Sequence, residues 1–353
     1  MPDAGATDPS LSCAALLDRA PQRGAVIMRL RDSTLTGLLF ASGLFTIGIT
    51  IAIVGVLAYE TLHFFGVVGH RLDEPATFVE FITGLEWTPL LGAQQVFGVW
   101  PLLTGTMMVA LIAAMVALPI GLIVAVFLSE YAHPKVRAAL KPILELLAGI
   151  PTVVYGFFAL TVITPALQWI SKAVQVPFTQ TPFEQIEPAF GYFNSTSAGI
   201  AVGIMCLPMV SSLSEDALRA VPRSLRDGAF AMGGTRFDVS VRVVVPAALS
   251  GIIASFLLAI ARAVGETMIV ALAAGGLAQM AFGPTDAGEW VFRPHEGSQT
   301  MTAYMVQIFL GDAEFGSVEY YSSYAIGFTL FLMTLVLTLV GNWVLKRYRE
   351  AYE

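Results

Sequence analysis

The sequence predicts an all-α protein that crosses a membrane six times, and three observations carry that prediction. Of 353 residues, 56% are hydrophobic and only 13% are charged, whereas a soluble domain carries about 25% charge. The mean hydropathy is +0.73. Seven stretches of 19 to 43 residues hold no Asp, Glu, Lys or Arg: 33–59, 87–129, 146–171, 188–214, 243–261, 267–285 and 320–345. A spanning helix needs about 20 mostly apolar residues. An ordinary globular enzyme and a disordered chain are both excluded.

The elements follow in order. Residues 1–36 form a polar tail with no compact apolar run, so no cleaved secretory signal is expected. The first span is 37–59. An outer segment, 60–103, carries Phe64, Phe65 and Trp87; a hairpin and a short interfacial helix fit it equally. The second, third and fourth spans are 104–128, 147–169 and 196–213. The fifth and sixth charge-free stretches are separated only by Arg262–Glu266, and they read as one helix, 249–272, interrupted by charge. The last span is 324–345, and 346–353 is a short tail.

Positive residues stay in the cytoplasm, and they fix the orientation. Arg19, Arg23, Arg29 and Arg31 lie in the tail, Lys135, Arg137 and Lys141 between spans two and three, and Arg219, Arg223, Arg226, Arg236 and Arg242 between four and five. Lys346, Arg347 and Arg349 end the chain. The opposite side has only Arg71, Lys172 and Arg293. Both termini are therefore expected inside. The outer loops hold 13 carboxylates, a field that repels small anions. That acidity also follows simply from the basic bias within. Cys13 and Cys206 fall in different compartments, so no disulfide is expected, and the four histidines show no metal-ligand spacing.

The loop 214–246 carries the most local structure. Pro222 suits the opening of a helix. The helix runs over 223–232 and stops at Gly233-Gly234, a pair fit for a turn with positive φ. Thr235-x-x-Asp238 is a capping box that starts a second helix toward Pro246. Such a hinged, amphipathic segment fits a docking role; it also fits passive contact with lipid headgroups.

Arg262 and Glu266 sit inside the fifth span. At about 1.5 Å per residue, Arg262 lies about 20 Å along it, past the midpoint of a core about 30 Å thick. A central Arg costs at least about 2.5–3.5 kcal/mol, so the pair must face the bundle or a wet cavity. Read as one helix, their i, i+4 spacing puts both on one face. A guanidinium offers a planar fork of donors to phosphate-like oxygens. Ionised Glu266 only accepts hydrogen bonds, so a protonated oxyanion is favoured over fully ionised sulfate. A structural ion pair locking helices together is the competing reading.

Several stretches together resemble one family. Asp227-Gly228-Ala229, three residues, Gly233, nine residues, then Val243-Val244-Val245-Pro246 resembles the EAA loop of ABC importer permeases, with Asp for Glu, Gly228 for Ala and valines for larger aliphatics. With 141–156 (Lys141 to Gly156), 215–222 (Glu215 to Pro222), 261–268 (Ala261 to Met268) and 299–304 (Gln299 to Tyr304), the chain from about Arg31 onward is similar to the PstC-type permeases of phosphate ABC importers. The resemblance implies an ABC importer type-1 permease fold, with a permease domain over 104–345 and a cytoplasmic coupling loop at 214–246. It implies a PstA-like sister permease, two PstB-like ATPase subunits, an external PstS-like phosphate-binding protein and no nucleic acid. It also implies that Asp227, Gly228, Ala229, Gly233, Val243, Val245 and Pro246 engage the ATPase, and that Arg262, Glu266 and Thr267 line the substrate route.

This chain carries no P-loop: none of its four lysines, Lys135, Lys141, Lys172 and Lys346, follows a glycine, as Gly-x-x-x-x-Gly-Lys-Ser/Thr requires. ATP and Mg are thus expected on the partner ATPase, with no cofactor and no covalent chemistry here. Lys141 and Glu145 are i, i+4 at the inner mouth of span three, as a surface pair or a gating element. Pro151 and Thr152 could free backbone groups to line the path. The alternatives in function are a permease for another oxyanion (molybdate, sulfate or a phosphonate) and a proton-coupled secondary carrier.

Overall fold

The computed structural model describes residues 22–71, 78–90, 95–175, 187–285 and 288–348. The tail through 21, with Arg19 and Cys13, lies outside them, as do Asp73, Glu74, Glu184, Asp286 and Arg349. Two units are distinguished, Met1–Val56 and Leu57–Glu353. In the first, the described chain is a single helix, the start of α1 (Gln22–Arg71). Its Leu38, Leu39, Phe40 and Phe45 are all exposed, as expected of a span whose apolar surface faces lipid rather than a core.

The second unit is a helix bundle. After α1 come α2 (Phe78–Thr83), α3 (Trp100–Tyr131), α4 (Pro134–Ala148), α5 (Thr152–Gln175) and α6 (Ser195–Ala220). Then follow α7 (Arg223–Ala231), α8 (Arg236–Ala247), α9 (Leu249–Val264), α10 (Met268–Ala273), α11 (Met301–Gly311) and α12 (Val318–Tyr348). A two-stranded antiparallel hairpin, β1 (Phe282–Pro284) and β2 (Trp290–Phe292), lies between α10 and α11. Among the described residues, five helices are long and apolar enough to cross a membrane, and the pair α8–α9, bent by 70°, makes up to six.

Glycine sets the closest packing. At Gly199 and Gly203 on α6 a β-carbon would stand 2.6 Å from Ile112 Cβ and 2.9 Å from Val116 Cβ of α3, and at Gly121 2.6 Å from Val210. Small residues at such seams let backbones approach where no hydrophobic drive between helices exists. The central core, with Val109, Ala113, Tyr155, Val202 and Ile269, joins α3, α5, α6, α9 and α10.

Of the undecided segment 60–103, the described residues continue α1 to Arg71, form the short helix α2 and an aromatic cluster, and open α3 at Trp100. Phe64, Phe81, Trp87 and Phe97 are buried together with Tyr304 of α11, and Trp87 meets the Tyr304 ring edge-on at 5.0 Å. A backbone bridge pairs Trp87 with Phe97. At the same end, residues 191–196 bond to the backbone of 294–296.

Two expectations are corrected. The fifth span is not one helix over 249–272: α9 stops at Val264, Gly265 adopts φ −85° and ψ 0°, and α10 restarts at Met268. The third span starts at Thr152 rather than 147, because α4 ends at Ala148 with Gly149 as its C-cap and Pro151 caps α5. Its upstream part is a separate amphipathic helix, α4.

Candidate functional site: a charged cavity and a hinged loop

A cavity of about 420 Å³ opens between α4, α6 and α9. Arg262 lies on its wall, with Lys141, Glu145, Glu215, Met205 and Pro208. Arg262 is the third-from-last residue of α9, exposed in the isolated chain, and its Nη2 reaches Met205 Sδ at 3.9 Å. Nothing in that contact neutralises the charge. Among the described residues, no carboxylate lies within 4 Å of its guanidinium, so the competing reading, a structural ion pair with Glu266, does not hold.

Glu266 is buried, 8% exposed, and turned to another task. Its Oε1 accepts from the backbone N–H of Met268 (3.2 Å) and of Ile269 (3.4 Å). It thereby satisfies two of the amides that a helix start leaves without partners. Thr302 Oγ1 donates to the Glu266 carbonyl at 2.8 Å, tying α11 to the break. Thr267 donates to the Gly265 carbonyl. The i, i+4 argument fails because Glu266 follows the end of α9: it belongs to the 265–267 break, not to the helical face that carries Arg262.

A second cavity, about 240 Å³, adjoins that break on its far side in sequence. Ala271, Gly275, Gln299, Ala303 and Gln307 line it, and Gln299 Nε2 donates to Gln307 Oε1. The fifth span thus passes from the wall of one cavity, at Arg262, to the wall of the other, at Ala271.

Lys141 and Glu145 both line the first cavity, but they are not each other's ion partners. Lys141 Nζ lies 3.1 Å from Asp216 Oδ1 and 3.8 Å from Glu215 Oε2, so the predicted intrahelical pair is replaced by a bridge from α4 to α6. Pro151 and Thr152 stand at the α4–α5 break. There Tyr155 Oη donates to the Leu147 carbonyl at 2.8 Å, which occupies one of the backbone groups the break sets free.

The hinged loop forms as its residues dictate. Pro222 caps α7, Met232 ends it and Gly233 turns at φ +87°. Thr235 and Asp238 make both halves of the capping box. The Thr235 hydroxyl, then its amide, hold the Asp238 carboxyl below the usual range. Asp227, Gly228 and Gly233 are exposed, Ala229 is half-buried, Val243 and Val245 are half-buried and Pro246 is exposed. Phe230, Met232 and Phe237 expose 46%, 90% and 66% of their surface, apolar side chains that the described residues leave uncovered. Val239, Val244 and Ile252 bury the opposite face against Leu218 and Ala125.

Two anchors were not evident from the sequence. Val244, not its neighbours 243 and 245, is the fully buried valine. Arg226 donates from Nη1 to the Val221 carbonyl (2.6 Å) and from Nη2 to that of Leu218 (2.7 Å) and to Glu130 Oε1 (3.1 Å). It fastens α7 to the end of α6 and to the end of α3. The salt bridges of Arg137, Lys141 and Arg226 also bring the loops after spans two and four to one end of the bundle, as their shared positive charge predicted.

A bundle of apolar helices with a broken span, a charged cavity and a hinged loop at one end defines a membrane transport subunit rather than an enzyme. The chain belongs to the family described as binding-protein-dependent transport system inner membrane component, whose model matches residues 117–350. It is 31% identical to the probable ABC transporter permease protein YqgH of Bacillus subtilis, over 76% of this chain and 78% of that one. It is 30% identical to the probable phosphate transport system permease protein PstC of Methanocaldococcus jannaschii, over 76% and 82%, and 30% identical to PstC of Xylella fastidiosa, over 76% and 79%. Its fold is similar to a chain of a bacterial ABC transporter involved in import of the acidic polysaccharide alginate. There the TM-score is 0.57 at 15% identity, covering 92% of this chain and all of that one; at such identity the likeness concerns the fold. The chain is therefore a multi-pass inner-membrane permease of the type-1 ABC importer fold.

Proposed function

We propose that this chain is one of two permease subunits of an ATP-driven importer of inorganic phosphate, with both termini in the cytoplasm. The observation that carries the reading is Arg262: an unneutralised guanidinium on the wall of a 420 Å³ cavity, at the end of a short helix in the middle of a span. A PstA-like sister permease would close the open side of that cavity. Two PstB-like ATPases would hold ATP and Mg and receive the exposed face of Phe230, Met232 and Phe237, around Asp227, Gly228, Ala229 and Gly233. A PstS-like binding protein would deliver the anion from outside, which offsets the repulsion of the acidic outer loops.

In this reading Arg262 contacts the anion in passage, through the bidentate geometry a guanidinium favours. Glu266 and Thr267 position it by holding the break at 265–267, while Pro151 and Thr152 hinge α4 against α5. Rotation of α7 would be transmitted through Arg226, Val243, Val245 and Pro246 to α6 and α9, rocking the cavity between the two sides. The importer, reconstituted with its partners, should take up phosphate only with ATP, and Arg262→Gln should lower the initial rate at least a hundredfold with assembly intact. Retained flux would remove Arg262 from the route. Uptake that persists without the ATPase and collapses with the proton gradient would favour a secondary carrier.

A further inference from the structure

We infer that Lys141 and Glu215 form a second oxyanion station in the cavity that Arg262 heads, and that Glu215 is the residue that selects a protonated oxyanion there. The inference rests on the reading of the chain as an oxyanion permease and adds to it a site, a partner chemistry and a specificity residue.

Glu215 is the most thoroughly buried carboxylate of the cavity wall, with a side chain 0% exposed. Arg137 neutralises it from one side only: Nε and Nη2 both donate to Oε1, at 2.6 and 2.5 Å. Oε2 is buried and accepts no hydrogen bond. Buried acceptors are nearly always satisfied, and one that is not calls for an explanation. Lys141 Nζ lies 3.8 Å from it, too far for a hydrogen bond. Lys141 has three donors, and Asp216 takes one at 3.1 Å. Arg219, on the same helix face, lies 3.9 Å from Oε1.

The charge balance points to an anion. Around the cavity, four cations (Arg137, Lys141, Arg219 and Arg262) face three carboxylates (Glu145, Glu215 and Asp216), leaving one positive charge in excess. The hydrogen-bonding balance points to the kind of anion. Once Lys141 swings aside, an oxyanion bearing a hydroxyl would accept from Nζ through a charged oxygen and donate to Oε2 through the hydroxyl. Both idle groups are then satisfied. Sulfate has no proton to give, and its oxygens would face the Glu215 carboxylate unpaired. This is the discrimination expected of Arg262 and Glu266 together; Glu266 is not on the wall of the Arg262 cavity, whereas Glu215 is, with a buried oxygen that accepts no hydrogen bond. The two stations are separated by roughly 15 Å along α6, the rise of the ten residues from Met205, which touches Arg262, to Glu215. An anion released by Arg262 would therefore meet Lys141 before leaving the cavity.

A cavity-facing station of this kind makes import sensitive to phosphate on the exit side. The experiment uses the complete importer in proteoliposomes with lumenal ATP, preloaded with phosphate, sulfate or chloride, and reads the initial uptake rate. Lumenal phosphate should slow uptake and sulfate should not. Lys141→Gln should raise the half-inhibitory phosphate concentration at least tenfold, and Lys141→Arg should keep it within about threefold of the native value. Glu215→Gln, which offers an amide donor in place of one oxygen, should make sulfate inhibit as well as phosphate. Because each readout is a ratio within one preparation, a fall in assembly does not mimic it, and the Lys141 pair decides the matter if Glu215→Gln fails to assemble. Unchanged inhibition in Lys141→Gln, or native uptake indifferent to lumenal phosphate (as when a lipid headgroup phosphate fills the station), overturns the inference while leaving phosphate import standing. Absence of ATP-driven phosphate uptake by the native importer overturns the underlying reading itself.

Discussion

Arg226→Ala should uncouple the importer without unfolding it. The guanidinium gives two hydrogen bonds to carbonyls at the end of α6 and one to Glu130, and both charged side chains are mostly buried, 17% and 12% exposed. Hydrogen bonds to charged groups contribute about 1.5–3 kcal/mol each. The Val221 and Leu218 carbonyls regain water when Arg226 is removed, which puts both at the low end of that range. An ion pair near the surface adds between nothing and about 1 kcal/mol. The sum is about 3 kcal/mol, a shift of roughly a hundredfold in the population of α7 released from α6. The buried cluster of Val239, Val244 and Ile252 lies beyond the hinge and is untouched, so the bundle should remain folded. ATP hydrolysis and phosphate uptake measured together in proteoliposomes should show the ATP cost of each imported ion rising at least tenfold. Arg226→Lys should recover part of the coupling, since an ammonium lacks the planar fork that serves two carbonyls and a carboxylate together. A native coupling ratio in Arg226→Ala would refute the argument that this residue links the loop to α6.

Other expectations follow from single contacts. Gly233→Val should weaken co-purification of the ATPase, because φ +87° strains any side chain although nothing lies within 4 Å of the new β-carbon; strain in that region costs about 1–2 kcal/mol. Gly199→Val should lower yield and melting temperature in detergent: its β-carbon would stand 2.6 Å from Ile112 Cβ, and overpacking costs about 1–3 kcal/mol. Glu266→Gln keeps an oxygen for the Met268 and Ile269 amides, so it should preserve thermal stability and most of the phosphate-over-sulfate transport ratio, whereas Glu266→Leu should lose both stability and transport; a ratio abolished in Glu266→Gln would restore the selectivity role to that residue. Asp238, with its carboxyl held low by Thr235, contributes stability that is present above the ordinary carboxylate range and lost as pH falls through the lowered value. Thr235→Ala should move the acid loss of ATPase binding to higher pH, read by pull-down across a pH series.

Much of this architecture is written in local signals. Pro222, Gly233 and the Thr235–Asp238 box each act within a turn of chain, and all appear as their chemistry requires. The two basic loops meet at one end because membrane insertion reads charge, which is a property of sequence. What stayed hidden depends on contacts across the chain. Arg226 looked like one more cytoplasmic cation until the C-terminus of α6 supplied its carbonyls. Glu215 lay within a recognised stretch, yet its isolated oxygen exists only because Arg137, 78 positions earlier, binds the other one. Lys141 found Asp216 rather than Glu145 because α4 packs against α6, a choice no helical spacing records.

The break at Gly265-Glu266-Thr267 is the instructive case, since its signal was present. A glycine after an apolar helical run, followed by an acidic residue and a threonine before Met268-Ile269-Val270, is a stop and a restart, and a count of charge-free residues passes over it. The break also changes the cost of Arg262. As one helix of 24 residues, the span would have placed the guanidinium mid-helix, where the backbone gives it nothing. As built, α9 has 16 residues, about 24 Å at 1.5 Å each, short of a hydrocarbon core about 30 Å thick. Arg262 then sits in the last turn of α9, where the unsatisfied carbonyls carry partial negative charge and favour a cation by roughly 0.3–1 kcal/mol, more when partly buried. Backbone broken at such depth is tolerated only where protein or a wet cavity receives it. Here Glu266 and Thr302 receive it on one side, and the Arg262 cavity lies on the other. A helix end therefore stabilises the cation that no carboxylate neutralises, and leaves its donors directed at whatever anion enters.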